Sequence, residues 1–309
     1  MKLSTTTGAF HLSADHKNLY PMIDIVKRCH EAGFDCIDIG WCKHFDKNFT
    51  LRQDNWEQLV DEIGEYAAKE GIEFYQSHTP FIMKSCKAWD EHFLEPGFDE
   101  YYEEMLRRSV YASAKLGVKW QIIHPDTFPE LNYERKASIE ANHEHYDKYV
   151  ELGIKLGVGT CFENMLPILD RTHPNKFASH YEELIEFVDS YNDPMVQICY
   201  DTGHGNQAGL EVGRAIRACG SRLKALHTND NIYGAKDEHL MPFMGEVNWF
   251  EFVEALVDVD FQGALNYEAQ SMSVKAPSGE MQMAFAKLVY DNGVYLLSLY
   301  EEAKKRKGK

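Results

Sequence analysis

Nine histidine and acidic residues stand at or just after the ends of predicted β-strands, and they are types that bind divalent metal ions. In chain order they are His78, His124, Glu163, Asp201, His204, His227, Asp237, His239 and Glu268. Carboxylates and imidazoles that converge on one point destabilise one another unless a cation lies between them. Oxygen and imidazole ligands without thiolate suit Mn²⁺ or Zn²⁺, and leave Co²⁺ and Mg²⁺ open. The pattern predicts a metal centre.

The elements that must position these residues alternate regularly along the chain. Short β-branched runs predict strands at Leu3–Thr7, Asp35–Ile39, Ile72–Ser77, Val118–Ile123, Val158–Phe162, Val196–Tyr200, Leu223–Leu226 and Gly263–Tyr267. Amphipathic patterns predict helices over residues 55–70, 101–116, 136–156, 180–191 and 249–257, followed by a long helix over 280–305. Several of these patterns stop at a glycine, as at Gly71 and Gly157, which is typical of a helix C-terminus.

Eight strand–helix units predict a parallel sheet closed into a single-domain (β/α)₈ TIM barrel that spans residues 1–309. Barrel active sites lie at the C-terminal ends of the strands, where the nine candidate ligands fall. A doubly wound sheet is the alternative architecture. It does not require eight units, and no GxGxxG loop follows the first strand.

The composition of the chain limits the classes of partner that it is expected to bind. The chain has 309 residues and a formal net charge of −17, which repels phosphate backbones and anionic lipid. Nucleic acid and membrane are therefore not expected partners, whereas a homo-oligomer stays open. The seven cysteines form no CxxC pair, and no apolar run reaches about 18 residues. We expect reduced thiols and a cytoplasmic location.

At these strand ends the chain resembles the xylose isomerase-like TIM barrel superfamily, which includes sugar phosphate isomerases and epimerases together with endonuclease IV. In the isomerase and epimerase branch, a Glu, an Asp, a His and a Glu from strands five to eight hold one metal ion. Those positions match Glu163, Asp201, His227 and Glu268. In endonuclease IV, nine residues bind three zinc ions, and the five further positions match His78, His124, His204, Asp237 and His239. The resemblance implies a metal enzyme and leaves the number of ions open.

The main functional hypothesis is a divalent-metal-dependent isomerase or epimerase of a small sugar, sugar phosphate or related keto-polyol, acting through an enediolate. The resemblance implies that Glu163 and Glu268 move the proton as base and acid. His204, Trp41 and Phe81 are candidates for substrate binding, the last two because aromatic faces can stack on a sugar. The alternatives are an endonuclease IV-like multinuclear zinc phosphodiesterase, a lyase or dehydratase on a sugar-like substrate, and a sugar-binding protein without turnover.

The acidic charge argues against the nuclease alternative. The segment after the second strand, WCKHFDKNFTLRQD, lacks the Asn-Pro-Arg run expected in the DNA-inserting loop of endonuclease IV. Duplex binding without sequence preference depends on clustered Lys and Arg. The sequence therefore favours sugar chemistry, and the paired glutamates argue against a protein that only binds.

Overall fold

Eight parallel strands form one sheet that curls into a closed barrel. The computed structural model describes residues 1–10, 19–81, 96–128, 134–167, 176–234 and 237–309. The strands are β1 (Leu3–Thr6), β2 (Cys36–Gly40), β3 (Glu73–His78), β4 (Trp120–Ile123), β5 (Gly159–Glu163), β6 (Val196–Asp201), β7 (Leu223–His227) and β8 (Leu265–Tyr267). Neighbours pair in the order β7-β6-β5-β4-β3-β2-β1-β8. The predicted (β/α)₈ barrel is confirmed, and the doubly wound alternative is excluded.

The last gap in the barrel closes just beyond the ends of β7 and β8. The backbone N–H of Thr228 donates to Asn266 at 2.8 Å, and that of Glu268 donates to Thr228 at 3.1 Å. Each bond joins the two strands that the sheet order leaves at opposite edges. The residue after β7 and the residue after β8 are thus tied together at the mouth of the barrel.

Helices surround the sheet and cover its outer face. They are α1 (Met22–Glu31), α2 (Trp56–Glu70), α3 (Phe98–Lys115), α4 (Arg135–Leu156), α5 (Tyr181–Tyr191), α6 (Thr202–Gln207), α7 (Val212–Cys219), α8 (Trp249–Asp258), α9 (Ser271–Val274) and α10 (Gly279–Lys307). The six predicted helical segments agree with these bounds within a few residues. Gly71 and Gly157 end α2 and α4 with φ values of 77° and 82°, a conformation that glycine adopts without steric cost.

The main hydrophobic core lies between the sheet and the helices. Outward-facing strand residues such as Ile37, Ile39, Phe162 and Ile198 are fully buried against it. Because side chains alternate along a strand, their neighbours in sequence point into the barrel. This alternation brings the strand-end acids and imidazoles to the inside of the mouth. Among the described residues, no helix is both long and apolar enough to cross a membrane.

Candidate metal centre

The nine candidate ligands lie at the C-terminal mouth, on or just beyond six consecutive strands. His78, Glu163, Asp201 and His227 are the last residues of β3, β5, β6 and β7. His124 and Glu268 come one residue after β4 and β8, His204 lies in α6, and Asp237 and His239 lie in the loop after β7. The structure therefore brings to one end of the barrel all the residues that the sequence placed at strand ends.

Four of them form a compact quartet, which we define as Glu163, Asp201, His227 and Glu268. One potential ligand atom from each lies within 4.8 Å of all the others. The Nδ1 atom of His227 is 3.0 Å from Glu163 Oε2 and 3.1 Å from Glu268 Oε2. Both carboxylate oxygens of Glu163 are buried, and neither accepts a well-aligned hydrogen bond from a described residue, although histidine nitrogens lie 3.0–3.5 Å away. Buried acceptors of this kind are costly unless a cation or proton satisfies them.

The quartet shifts the pKa values of its own members. Burial would raise the pKa of Glu163, but the neighbouring His227 ring outweighs it and holds that pKa well below its ordinary range. Asp201 behaves in the opposite way, because burial raises the pKa of its carboxyl to about 6. Both carboxylates are buried, but the His227 ring reverses the effect of burial on the pKa of Glu163. The pKa values of two acids on neighbouring strands therefore shift in opposite directions.

His78 and His124 form a second compact set with Glu163, which we call the histidine pair side. Their Nε2 atoms are 3.0 Å apart and lie 3.5 and 3.2 Å from Glu163 Oε2. Burial lowers the pKa of His124 to about 4, which keeps its ring neutral and able to offer a lone pair. One potential ligand atom from each of the three residues lies within 4.8 Å of the other two. Glu163 is therefore shared by the quartet and the histidine pair side.

His204, Asp237 and His239 form a looser third group on the other side of the quartet. Asp237 Oδ2 lies 2.9 Å from His239 Nε2 and 3.6 Å from His204 Nε2, while the two ring centroids are 6.4 Å apart. Burial opposes a charge on His239, but the Asp237 carboxylate prevails and raises the pKa of His239 to about 10. Unlike the quartet and the histidine pair side, these three described residues do not offer ligand atoms that all lie within 4.8 Å of one another.

Two asparagines support the quartet, and the sequence predictions did not include them. The Asn164 side chain accepts from the Asp201 backbone N–H at 2.7 Å and donates to the Asp201 carbonyl at 2.9 Å. Asn229 Nδ2 donates to Asp201 Oδ2 at 2.7 Å, while Asp201 Oδ1 accepts from the His204 N–H. Both asparagines lie next to or near a ligand in the stretches FEN and HTND. The signal in the sequence that could have identified these asparagines is a polar residue next to or near a strand-end ligand.

Gly203 makes this packing possible. A Cβ atom at this position would lie 1.9 Å from Asn229 Oδ1, which no side chain could tolerate without moving the asparagine. The glycine in YDTGH thus lets Asn229 approach Asp201. The stretch YDTGH therefore contains the candidate ligand Asp201, the glycine that leaves room for Asn229, and His204 of the third group.

A cleft of about 260 Å³ opens above these groups. Glu163, Glu268 and His204 reach it, whereas Asp201 and His227 are fully buried and do not line it. Apolar residues from the first, second and fifth strand–helix connections form much of the remaining wall, namely Leu19, Tyr20, Phe49, Met165 and Leu166. The arrangement gives a polar floor beneath a partly apolar chamber that suits a small molecule.

The two aromatic candidates for substrate binding differ in position. Phe81 lines the cleft, with its ring centroid 4.4 Å from that of His124. Trp41 is fully buried, and its indole N–H donates to Ser113 Oγ at 3.2 Å. The prediction that Trp41 offers its face to a substrate is therefore wrong. Its chain position after β2 resembles a rim position, but the indole packs beneath the rim against α3.

The fold and the mouth of the barrel define a (β/α)₈ protein with a candidate metal centre, and comparison with known proteins gives the family. The family model described as "Xylose isomerase-like TIM barrel" matches residues 26–288. The chain belongs to this family. The predicted resemblance is confirmed over most of the sequence.

Two curated relatives illustrate the similarity. The D-psicose 3-epimerase of Enterocloster bolteae is 37% identical over 235 residues, which cover 75% of this chain and 71% of that protein. The uncharacterized protein y4fM of Sinorhizobium fredii is 30% identical over 172 residues, which cover 53% of this chain and 51% of the relative. The match thus spans about half the length of that second relative.

Solved structures share the fold. The D-psicose 3-epimerase of Clostridium cellulolyticum H10, solved with D-tagatose, has a TM-score of 0.66 at 18% identity, and 96% of this chain and 99% of that chain are covered. The IOLI protein, solved with a bound zinc atom, has a TM-score of 0.69 at 14% identity, and the coverage is 98% and 99%. At such identities these structures establish the architecture alone.

Proposed function

We propose that this chain, acting as one barrel domain over residues 1–309, is a divalent-metal-dependent epimerase of a small ketose. The observation that carries the proposal is the quartet, whose potential ligand atoms lie within 4.8 Å of one another. The 37% identical D-psicose 3-epimerase supports the choice of epimerisation within the broader class of sugar isomerases.

The residues of the quartet fit a divalent ion. Three carboxylates and one imidazole supply hard and borderline donors, and both Glu163 oxygens and the His227 Nδ1 are buried without a hydrogen-bond partner among the described residues. This donor set suits Mn²⁺ or Zn²⁺, with Co²⁺ and Mg²⁺ as the other candidates. When bound, the ion would supply Lewis acidity to a ketose carbonyl and its neighbouring hydroxyl.

Glu163 and Glu268 are the proposed proton carriers. Both reach the cleft, and they contact the Nδ1 side of His227 from two different strands, β5 and the end of β8. One carboxylate would remove the proton from the carbon beside the carbonyl, and the electron pair would move into an enediolate. The other carboxylate would return a proton to the opposite face, which inverts that carbon.

The wall of the cleft supports a small and uncharged substrate. Phe81 and Met165 offer apolar surface, while His204 and Asp237 offer polar atoms beside the floor. Among the described residues that line the cleft, Lys43 is the one Lys or Arg side chain, and it is exposed at the rim. Carboxylates dominate the floor, which disfavours a phosphate group there. We therefore favour a free ketose over a sugar phosphate.

A second candidate is a multinuclear phosphodiesterase of the endonuclease IV kind. His78, His124 and Glu163 favour it, because they form an additional set with ligand spacing. The net charge of −17 and a cleft of about 260 Å³ argue against a duplex as substrate. Incubation with abasic-site DNA at physiological salt tests this candidate, and we expect neither binding nor incision.

The remaining expectations concern the cellular setting. The described cysteines are free, and five of the six are buried, which suits a cytoplasmic protein with reduced thiols. We expect a small-molecule carbohydrate as the partner and neither nucleic acid nor membrane. Gel filtration with light scattering would decide between a monomer and a homo-oligomer.

The decisive experiment combines metal analysis with product analysis. Protein purified without a metal-binding tag should contain a stoichiometric divalent ion by elemental analysis. Incubated with ketohexoses and ketopentoses in deuterium oxide, it should convert at least one to an epimer labelled at the carbon beside the carbonyl. A dehydrated product would indicate a lyase, and absence of both ion and turnover would refute the proposal.

A further inference from the structure

The barrel interior directly beneath the candidate metal centre is polar on one half and apolar on the other. Residues two positions before each mouth residue point to the same side of their strand and form this lower layer. On β4 to β7 it consists of Ile122, Cys161, Cys199 and Ala225, which belong to one buried cluster. On β8, β1, β2 and β3 it consists of Asn266, Ser4, Asp38 and Gln76, which are also buried. The polar half contains a carboxylate that the proposed chemistry does not use.

Asp38 is held in place by the other polar residues of this layer. Its Oδ2 atom accepts from Gln76 Nε2 at 3.2 Å and from Asn266 Nδ2 at 3.1 Å. Asn266 is oriented in turn, because its Oδ1 accepts from Ser4 Oγ at 2.9 Å. A carboxylate that is 1% exposed is costly to bury unless its surroundings compensate it. Four strands therefore cooperate to fix one oxygen of Asp38.

The same oxygen faces the ring of His227. Asp38 Oδ2 lies 3.3 Å from His227 Nε2, on the side of the ring opposite to the nitrogen that faces Glu163 and Glu268. This is a close approach of a carboxylate rather than a well-aligned hydrogen bond, and no other described residue forms a hydrogen bond with Nε2. A neutral imidazole carries one proton, so a proton on Nε2 leaves the lone pair on Nδ1. A proton on Nε2 would therefore point toward Asp38, and the lone pair on Nδ1 would face the carboxylates of the quartet.

The other histidines of the mouth are oriented in a different way. The Nδ1 atoms of three of them meet backbone carbonyl oxygens, which can only accept: His78 meets Thr79 at 2.9 Å, His204 meets Asn164 at 2.8 Å, and His239 meets Glu268 at 3.0 Å. Those rings therefore present Nε2 to the centre. His227 is the opposite case, with Nδ1 inward and a carboxylate behind it.

We propose that Asp38 is a positioning residue, which holds His227 with its proton on Nε2 and presents Nδ1 to the metal ion. The inference rests on the proposed function, because it requires the quartet to bind a divalent ion. A carboxylate behind a ligating imidazole fixes the ring and makes it a stronger ligand, and loss of such a partner costs about 10–100-fold in metal affinity.

The test uses two substitutions in the full-length protein. Asp38→Ala removes the acceptor and the charge, whereas Asp38→Asn keeps one acceptor oxygen for the three donors, removes the charge and replaces the second oxygen with an NH₂ group. The dissociation constant for Zn²⁺ is measured by competition with a chelating dye after metal removal. We expect Asp38→Ala to weaken binding by about 10–100-fold, and Asp38→Asn to weaken it by a smaller factor.

Asp230 provides a matched control. It is also fully buried, and it accepts hydrogen bonds from three backbone N–H groups and from the indole N–H of Trp249, none of which belongs to the quartet. Asp230→Asn should lower the melting temperature and leave Zn²⁺ affinity unchanged. Equal Zn²⁺ affinity in the parent and in both folded Asp38 variants would overturn the positioning role while leaving the quartet intact as a metal site.

A measurement on the unaltered protein decides the matter if the variants do not fold. In the Zn²⁺-loaded, ¹⁵N-histidine-labelled parent, the His227 ring should carry its proton on Nε2, whereas His78 and His204 should carry theirs on Nδ1. A His227 proton on Nδ1 would refute the inference. A parent that binds no stoichiometric ion would instead refute the proposed function, so the two failures are distinguishable.

Discussion

The quartet and the histidine pair side share Glu163, but the barrel supports them differently. All members of the quartet except Glu268 are almost fully buried, and Asp201 is held by Asn164 and Asn229. On the histidine pair side, the Nδ1 atom of His124 is buried with no hydrogen-bond partner among the described residues. A ligand whose far side is anchored loses less freedom when an ion binds. We therefore expect the quartet to bind a metal ion more tightly than the histidine pair side does.

Substitution of Glu268 by Gln should have the largest effect. The amide keeps an oxygen near the ion but cannot accept the substrate proton, so turnover should fall by about 10²–10⁴-fold. Steady-state rates on a ketose substrate and deuterium incorporation measure this loss. Glu65→Gln, on the exposed face of α2, is the matched control and should behave as the parent. Full exchange in both Glu268→Gln and Glu163→Gln would show that neither glutamate moves the proton.

Metal removal should reduce stability by an amount that depends on occupancy of the quartet. A ligand that binds only the folded state stabilises it by about 2.7 kcal/mol at a concentration 100 times its dissociation constant. Calorimetry with and without Zn²⁺ or Mn²⁺ should therefore give a clear rise in melting temperature. The rise should follow one tightly bound ion per chain in elemental analysis. Two or three equally tight ions would remove the distinction between the quartet and the histidine pair side.

Substitutions in the quartet and on the histidine pair side should show whether the two sites differ in metal affinity. Asp201→Asn removes a charged ligand from the quartet and should weaken the tight ion by more than about 10–100-fold, which is the cost of losing a partner behind a ligand, whereas His124→Gln should weaken it by less than that. His124→Gln should abolish any weaker second binding event. Isothermal titration on metal-free protein measures both. A greater loss of the tight ion in His124→Gln than in Asp201→Asn would reverse the assignment.

The smallest effects concern the two aromatic residues near the mouth. Trp41→Phe removes a buried indole that donates to Ser113, and should lower the free energy of unfolding by about 1–3 kcal/mol. Because Trp41 is outside the cleft, KM for the substrate should stay unchanged. Phe81→Ala should raise KM, since its ring lines the cleft. A raised KM in Trp41→Phe at unchanged stability would restore the original prediction for that residue.

The order of strands and helices along the chain was sufficient to predict the barrel. Strands five to eight end at or beside Glu163, Asp201, His227 and Glu268, and parallel strands in a closed barrel bring such ends together. This inference depends only on local periodicity and on one topological rule. It did not require knowledge of any single side-chain conformation.

Other features depended on contacts between residues far apart in the chain. Asp38 lies in an ordinary apolar strand, and its approach to His227 depends on how β2 faces β7 across the barrel. Trp41 follows a strand end as Phe81 does, yet one indole turns under the rim and the other ring lines the cleft. A strand pattern specifies which side of the sheet a residue faces. The tertiary structure alone decides what it meets there, because the partners come from strands that the local sequence cannot identify.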